Sequence, residues 1–137
     1  MTDPALDLTW FLEDFVNRLP GTRAVVVCSS DGIKLHSHGL TREGGDRVSA
    51  IVSGFASLGN SVGHIPDLDL GGGSDLHQVV VLHSGAQLLV GRAGNGALLA
   101  VVAAPDADTG QIGHEMGLLS GRVPSHLDAA ARQGGAG

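Results

Sequence analysis

The sequence predicts an α+β sandwich, a five-stranded and mainly antiparallel sheet with helices on both faces, in the order α-β-β-α-β-β-β-α. Three observations predict it. Three stretches carry apolar residues at helical spacing, and five short runs are rich in β-branched and aliphatic residues. Turn chemistry of the Asp-Gly, Ser-Gly and Gly-Asn-Gly kind separates the strands. Only the middle helix is a connection long enough for a parallel crossover, so antiparallel pairing dominates.

Asp3 as N-cap and Pro4 at the first helical position open the first helix. Leu8, Phe11, Leu12, Phe15, Val16 and Leu19 fall on one face of about four turns, and Pro20-Gly21 ends it. Trp10 points off that stripe, toward a second surface or a partner. Ala24-Val25-Val26-Val27-Cys28 is apolar on both faces and belongs inside a sheet covered on both sides. Asp31-Gly32 leads into a second strand, 33–38, and predicts a tight hairpin whose two central residues take positive φ.

From 42 to about 64 the period is helical. Val48, Ile51, Val52, Phe55, Leu58 and Val62 form the apolar stripe, and Ala50, Gly54, Ser57 and Ser61 form a small-residue stripe beside it. Glycine in a helix interior costs about 0.8–1 kcal/mol against alanine. Gly54 and Gly59 therefore point to a close neighbouring backbone, and the helix is expected to have neighbours on two sides. Residues 66–75, with Gly71-Gly72-Gly73 at their centre, read as a flexible loop. Strands at 76–83, 86–92 and 97–103 follow, joined by Ser84-Gly85 and by Gly94-Asn95-Gly96. Asp108 and Gln111 form a capping box for the last helix, which buries Ile112, Met116, Leu119 and Val123. From Pro124 the pattern decays, so 1–123 reads as one domain and 124–137 as a flexible C-terminal tail.

At 137 residues the chain holds one domain, and 42% hydrophobic content supports a core without staples. A single cysteine excludes an internal disulfide and fits a reducing, cytoplasmic setting. No apolar run approaches the ~20 residues of a membrane span. A net charge of −6 with eight Lys+Arg argues against a nucleic-acid partner.

The chemical inventory is thin. His36 and His38 share one strand face and offer two of the three ligands a metal needs, but the third is supplied only by guessing the pairing; partial exposure at a strand end explains them equally. The 91–96 glycines precede a strand rather than a helix, and no Gly-Lys-Ser/Thr follows Gly71-Gly72-Gly73, so neither is a nucleotide-binding loop. Cys28 among valines reads as a small buried hydrophobe. The paired carboxylates Asp67/Asp69 and Asp106/Asp108 read as loop and cap residues. No catalytic constellation and no cofactor is expected.

The apolar strand at 76–83 follows a loop, where an edge strand belongs, and an apolar edge invites association. Its natural cover is a second copy, giving a continuous sheet across a two-fold axis.

The order of elements resembles the roadblock/dynein-light-chain family, and so do particular stretches. They include Leu8-Thr9-Trp10-Phe11-Leu12-Glu13-Asp14-Phe15, Pro20-Gly21-Thr22-Arg23, Ser30-Asp31-Gly32 and Val52-Ser53-Gly54-Phe55-Ala56-Ser57-Leu58. Gly94-Asn95-Gly96-Ala97-Leu98-Leu99-Ala100-Val101, Asp106-Ala107-Asp108 and Gly113-His114-Glu115-Met116-Gly117-Leu118-Leu119 extend the match to about residues 6–123. The chain is similar in particular to the actinobacterial branch encoded beside Ras-like GTPases in conservon gene clusters. That resemblance implies two helices on one sheet face and one on the other, and a homodimer built through the third strand and middle helix. It implies binding of a small Ras-like GTPase, as an activator of the GTPase's own hydrolysis or as a scaffold, without catalysis by this chain. A sensor kinase complex is a further candidate partner, and recruitment to a membrane would come through partners rather than insertion. Matched to those elements, Gln78, Val80 and Leu82 are the candidate dimer edge. Ala50, Gly54, Ser57 and Ser61, with Arg47 at the helix start, are the candidate seam or GTPase-facing platform. The rival reading is a small-molecule sensor with a pocket between helix and sheet, which 3% aromatic content does not favour.

Overall fold

The computed structural model describes residues 4–70, 75–94 and 96–123. Helix α1 (Pro4–Arg18) leads into strands β1 (Thr22–Ser29) and β2 (Lys34–His38). Helix α2 (Arg42–Ser61) and two short 3₁₀ turns, Val62–His64 and Pro66–Leu68, come next. Strands β3 (Gln78–His83), β4 (Ala86–Arg92) and β5 (Ala97–Ala103) precede helix α3 (Thr109–Ser120). The strands form one sheet in the order β2-β1-β5-β4-β3, and every pairing is antiparallel. The expected α+β architecture and element order are present. The predicted Asp3 cap, the Gly71-Gly72-Gly73 loop and the 124–137 tail lie outside the described residues.

Two apolar layers hold the sheet. On one face Leu8, Leu12, Phe15 and Leu19 of the first helical segment meet Ile112, Met116, Leu119 and Val123 over Val25, Val27, Leu89, Leu99 and Val101. The helical spacing seen in the sequence is thus the buried face of α1 and α3, while Trp10 is exposed. On the other face α2 covers Val26, Cys28, Val90, Leu98 and Ala100. β1 runs between β2 and β5 with residues 24–28 fully buried, as a strand apolar on both sides requires.

Local chemistry fixes the connections. Thr41 Oγ1 accepts from Gly44 N at 3.0 Å and caps α2, and Asp108 Oδ1 accepts from Gln111 N at 3.0 Å and caps α3. The β1–β2 connection differs from the tight hairpin expected. Only Gly32 takes a positive φ, 90°, because the loop is longer than two residues. Gly32 N donates to Ser29 O at 3.0 Å, Ile33 N donates to Ser29 Oγ at 3.1 Å, and Ser29 Oγ donates to Asp31. Polar side chains hold this loop where a two-residue turn would have needed positive φ twice. Within the segment read as loop, Pro66–Leu68 winds into a 3₁₀ turn and Asp69 follows at φ 47°.

Candidate partner interface

The sheet has two edges, and they are built differently. β2 is five residues long, carries Lys34 with its Nζ 3.3 Å from Asp46, and its register breaks between Val27 and Cys28. Charge, brevity and a bulge are the devices that guard an edge against unwanted pairing. β3 has none of them. Its six residues, Gln78 to His83, carry no Asp, Glu, Lys, Arg or proline, and its register with β4 runs unbroken from Gln78↔Gly91 to His83↔Ala86. Ser84-Gly85 is a two-residue turn closed by the His83↔Ala86 pair, and such a closing pair exchanges both main-chain bonds. Alternation from that pair turns the main-chain N–H and C=O of Gln78, Val80 and Leu82 outward. These are the three edge candidates of the sequence, and all three side chains are exposed, Leu82 to 75%.

α2 adds apolar surface beside this edge. Of the apolar stripe Val48, Ile51, Val52, Phe55, Leu58 and Val62, only Val52 is fully buried. Ile51, Val62 and above all Leu58, at 69%, are exposed. The helix meets the sheet through small residues instead: Gly45, Ser49, Val52, Ala56 and Gly59, one face by helical spacing. A Cβ on Gly59 would stand 2.8 Å from Val79 Cγ2, and one on Gly45 2.9 Å from Lys34 Cδ. Ser49 is buried with its hydroxyl donating to Gly45 O at 2.8 Å, so it adds no unpaired group to the contact. Because the axis lies this close to the sheet, the larger residues are displaced to the flank. That flank faces β3, where Val48 and Ile51 share a cleft with Val81 and His83.

The other candidates fall on the outer side of α2. Arg47, Ala50, Gly54, Ser57 and Ser61 are all exposed, a Cβ on Gly54 would meet nothing within 4 Å, and Ser61 Oγ donates to Ser57 O at 3.0 Å. The small stripe is therefore not the surface that meets the sheet. The exposed flank of Ile51, Leu58 and Val62 is what the sequence reading missed. Its signal was a second set of small residues, 45, 49, 56 and 59, at the same helical spacing as the first.

Reactive groups are scattered. His36 and His38 stand opposite Val27 and Val25 and are half-buried, and burial lowers the His36 imidazole below its ordinary range. Among the described residues no three His, Cys, Asp or Glu side chains gather as a metal-ligand set. Asp67, Asp69, Asp106 and Asp108 are exposed. A cleft of about 250 Å³ lined by Ser30, Ser53, Asn60, Leu76 and Arg92 opens at one end of α2. It is smaller than the ~300–1,000 Å³ of most ligand pockets. Among the described residues no helix is long and apolar enough to cross a membrane.

Fold and site together define a class: an α+β domain with one guarded sheet edge and one open, uncharged edge flanked by an apolar helix surface. The family model of the Roadblock/LC7 domain matches residues 8–103. A Roadblock/LC7 domain structure from Streptomyces avermitilis is 38% identical, with a TM-score of 0.77, covering 86% of this chain and 95% of that one. A second from the same organism is 26% identical at TM-score 0.66, covering 84% and 96%. The gliding protein MglB from Thermus thermophilus shares the fold at 20% identity and TM-score 0.73, covering 96% and 91%. No curated protein matches the sequence. The chain belongs to the Roadblock/LC7 domain family.

Proposed function

We propose that this chain is a homodimeric, non-catalytic regulator or adaptor of a small Ras-like GTPase. The observation that carries the dimer is the β3 edge: three residues with outward main-chain groups, no guarding charge, and the exposed flank of α2 alongside. A second copy satisfies those groups and covers the flank in one step. Family membership supports the GTPase as the third component, and the small-residue stripe on the outer side of α2, with Arg47 near its start, offers it a surface. The partner's own loops would then do the hydrolysis, since the described residues bring no grouped acid, base or nucleophile to the interface.

Light scattering on the purified chain at micromolar concentration is expected to give twice the chain mass. Val80→Lys sets a charge at the middle of each paired edge and is expected to give a monomer with unchanged far-UV circular dichroism. A wild-type monomer would remove the dimer from the proposal. Mixing the dimer with the Ras-like GTPase encoded beside its gene is expected to give a stable complex, and phosphate release from GTP then distinguishes an activator from an adaptor.

A further inference from the structure

We infer that the cleft between the second half of α2, the end of β4 and the start of β5 is a binding site for a carboxylate on a short aliphatic stem. The chemistry is the same whether that stem is a glutamate side chain of a protein partner or a free short-chain acid.

Strand alternation and helical spacing build the site. Leu88 and Val90 of β4 pack on the α2 side of the sheet, so Arg92, the last residue of that strand, falls on the same face. Arg92 stands opposite Leu98 of β5, and Leu98 stands opposite Cys28 of β1. From above, Ser53, Ala56, Ser57 and Asn60 recur at helical spacing along one side of α2. These residues are too small to fill the space over Leu98, and a cleft of about 250 Å³ remains. Leu76, whose Cδ1 lies 3.0 Å from the place of a Cβ on Gly59, forms one wall. Leu98 is buried and Ala56 and Leu76 are partly buried, whereas Arg92, Ser57 and Asn60 are exposed. The cleft therefore has an apolar floor and a polar rim.

Size and charge select the ligand. The space is too small for a drug-sized molecule but takes a stem of a few carbons lying on Leu98 and Ala56. The charged end then reaches Arg92, whose planar fork matches a carboxylate. A single guanidinium balances one negative charge and repels an ammonium group. It is also weakly committed: Arg92 Nη1 is 3.9 Å from Asp75 Oδ1, and the two side chains are 57% and 87% exposed. An ion pair so open to water holds little energy, so an entering carboxylate can take the guanidinium from it. The Ser57 hydroxyl and Asn60 carboxamide supply further donors, and among the described residues neither makes a side-chain hydrogen bond. A helix C-terminus ordinarily repels an anion through its free carbonyls. Here Ser57 O accepts from Ser61 Oγ at 3.0 Å, and the carbonyls of Gly59 and Asn60 accept from Val62 N. The cleft borders the small stripe at Ser57, so a glutamate on a partner seated there would enter from the same side. That source rests on the GTPase proposed above, whereas the carboxylate site itself does not.

Two arms of one experiment test the site and its source. In the first, the isotope-labelled full chain is titrated with propionate at constant ionic strength and followed by nuclear magnetic resonance. Saturable shifts at Ser57, Asn60 and Arg92 are expected, with a dissociation constant of about 10 mM or tighter. Propionamide and propylammonium are expected to bind at least about tenfold more weakly. Arg92→Met keeps the stem and removes the fork, and is expected to weaken propionate about tenfold or more with unchanged far-UV circular dichroism. Asp75→Asn removes the competing carboxylate and is expected to tighten propionate about threefold. In the second arm, the Ras-like GTPase encoded beside the gene is bound to the wild-type chain and to Arg92→Met. A loss of about tenfold or more in both arms makes the ligand a glutamate side chain; a loss with propionate alone makes it a free acid. Shifts that do not saturate, that propionamide reproduces, that survive Arg92→Met or that weaken in Asp75→Asn overturn the inference. A chain that binds propionate as expected but no GTPase overturns the function proposed above and leaves the carboxylate site standing.

Discussion

The Cys28 thiol lies beneath α2 with no solvent exposure, its Sγ 4.0 Å from the Ser49 carbonyl oxygen. Loss of hydration pushes its pKa up from 9.0 to about 11, because the thiolate loses more than the thiol by leaving water. The thiolate is the reactive form, so the folded protein holds an inert sulfur. The sign of the stability effect follows from which state gives up its proton first. Above about pH 9 the unfolded chain ionises while the folded one does not, so the contribution is full below that pH and is lost as pH rises toward about 11. A thiol reagent at about pH 8 is expected to label the native protein far more slowly than the denatured chain. The urea midpoint should hold to about pH 9 and decline above it. Rapid native labelling would mean that α2 lifts off the sheet on the reagent's timescale.

At the scale of elements, the passage from β5 to α3 depends on one buried amide. Gln87 of β4 donates from Nε2 to the carbonyl oxygens of Ala104, Pro105 and Ala107 at 3.2, 3.1 and 2.9 Å, and its Oε1 accepts from Thr109 Oγ1 at 2.6 Å. Gln87→Met keeps the volume and removes the amide donor, leaving Ala104 O only its bond from Ala107 N at 3.1 Å, at a cost of about 1–3 kcal/mol in chemical denaturation. A change within experimental error would show that water replaces the amide there. Nothing in the sequence marked Gln87, because a glutamine in a strand has no local signature. What was legible followed the size of the packing residues. α1 and α3 bury large aliphatic side chains, so their periodicity named the buried face correctly. α2 packs through glycine, serine and alanine, and hydropathy cannot tell small residues that touch a sheet from small residues that touch nothing. Gly59 lies against Val79 and Leu76 and Gly54 stands in the open, yet both are glycines one to two turns apart on the same helix. The open edge at β3 was legible because a strand that follows a long loop has a free side, while the flank of α2 beside it was not.

For the whole molecule, antiparallel pairing of two β3 edges in the proposed dimer would set a two-fold axis normal to the sheet and place both copies of α2 on the same face, side by side over the joined edges. The flank directed at β3, carrying Ile51, Leu58 and Val62, then meets its counterpart, whereas Ala50, Gly54, Ser57 and Ser61 point away from the sheet. The proposed assembly would therefore give the two surfaces different occupants: the second copy on the apolar flank, the GTPase on the small stripe with Arg47. Leu58→Glu sets a carboxylate into the protomer contact and is expected to raise the dimer dissociation constant about a hundredfold, the loss of a central anchor. Gly54→Arg adds bulk to a surface with free space around it in the single chain, so the dimer should persist in light scattering while binding to the GTPase weakens by at least as large a factor. The reverse outcome, a monomeric Gly54→Arg beside a dimeric Leu58→Glu, would make the small stripe the seam and would move the GTPase to another face of the sheet.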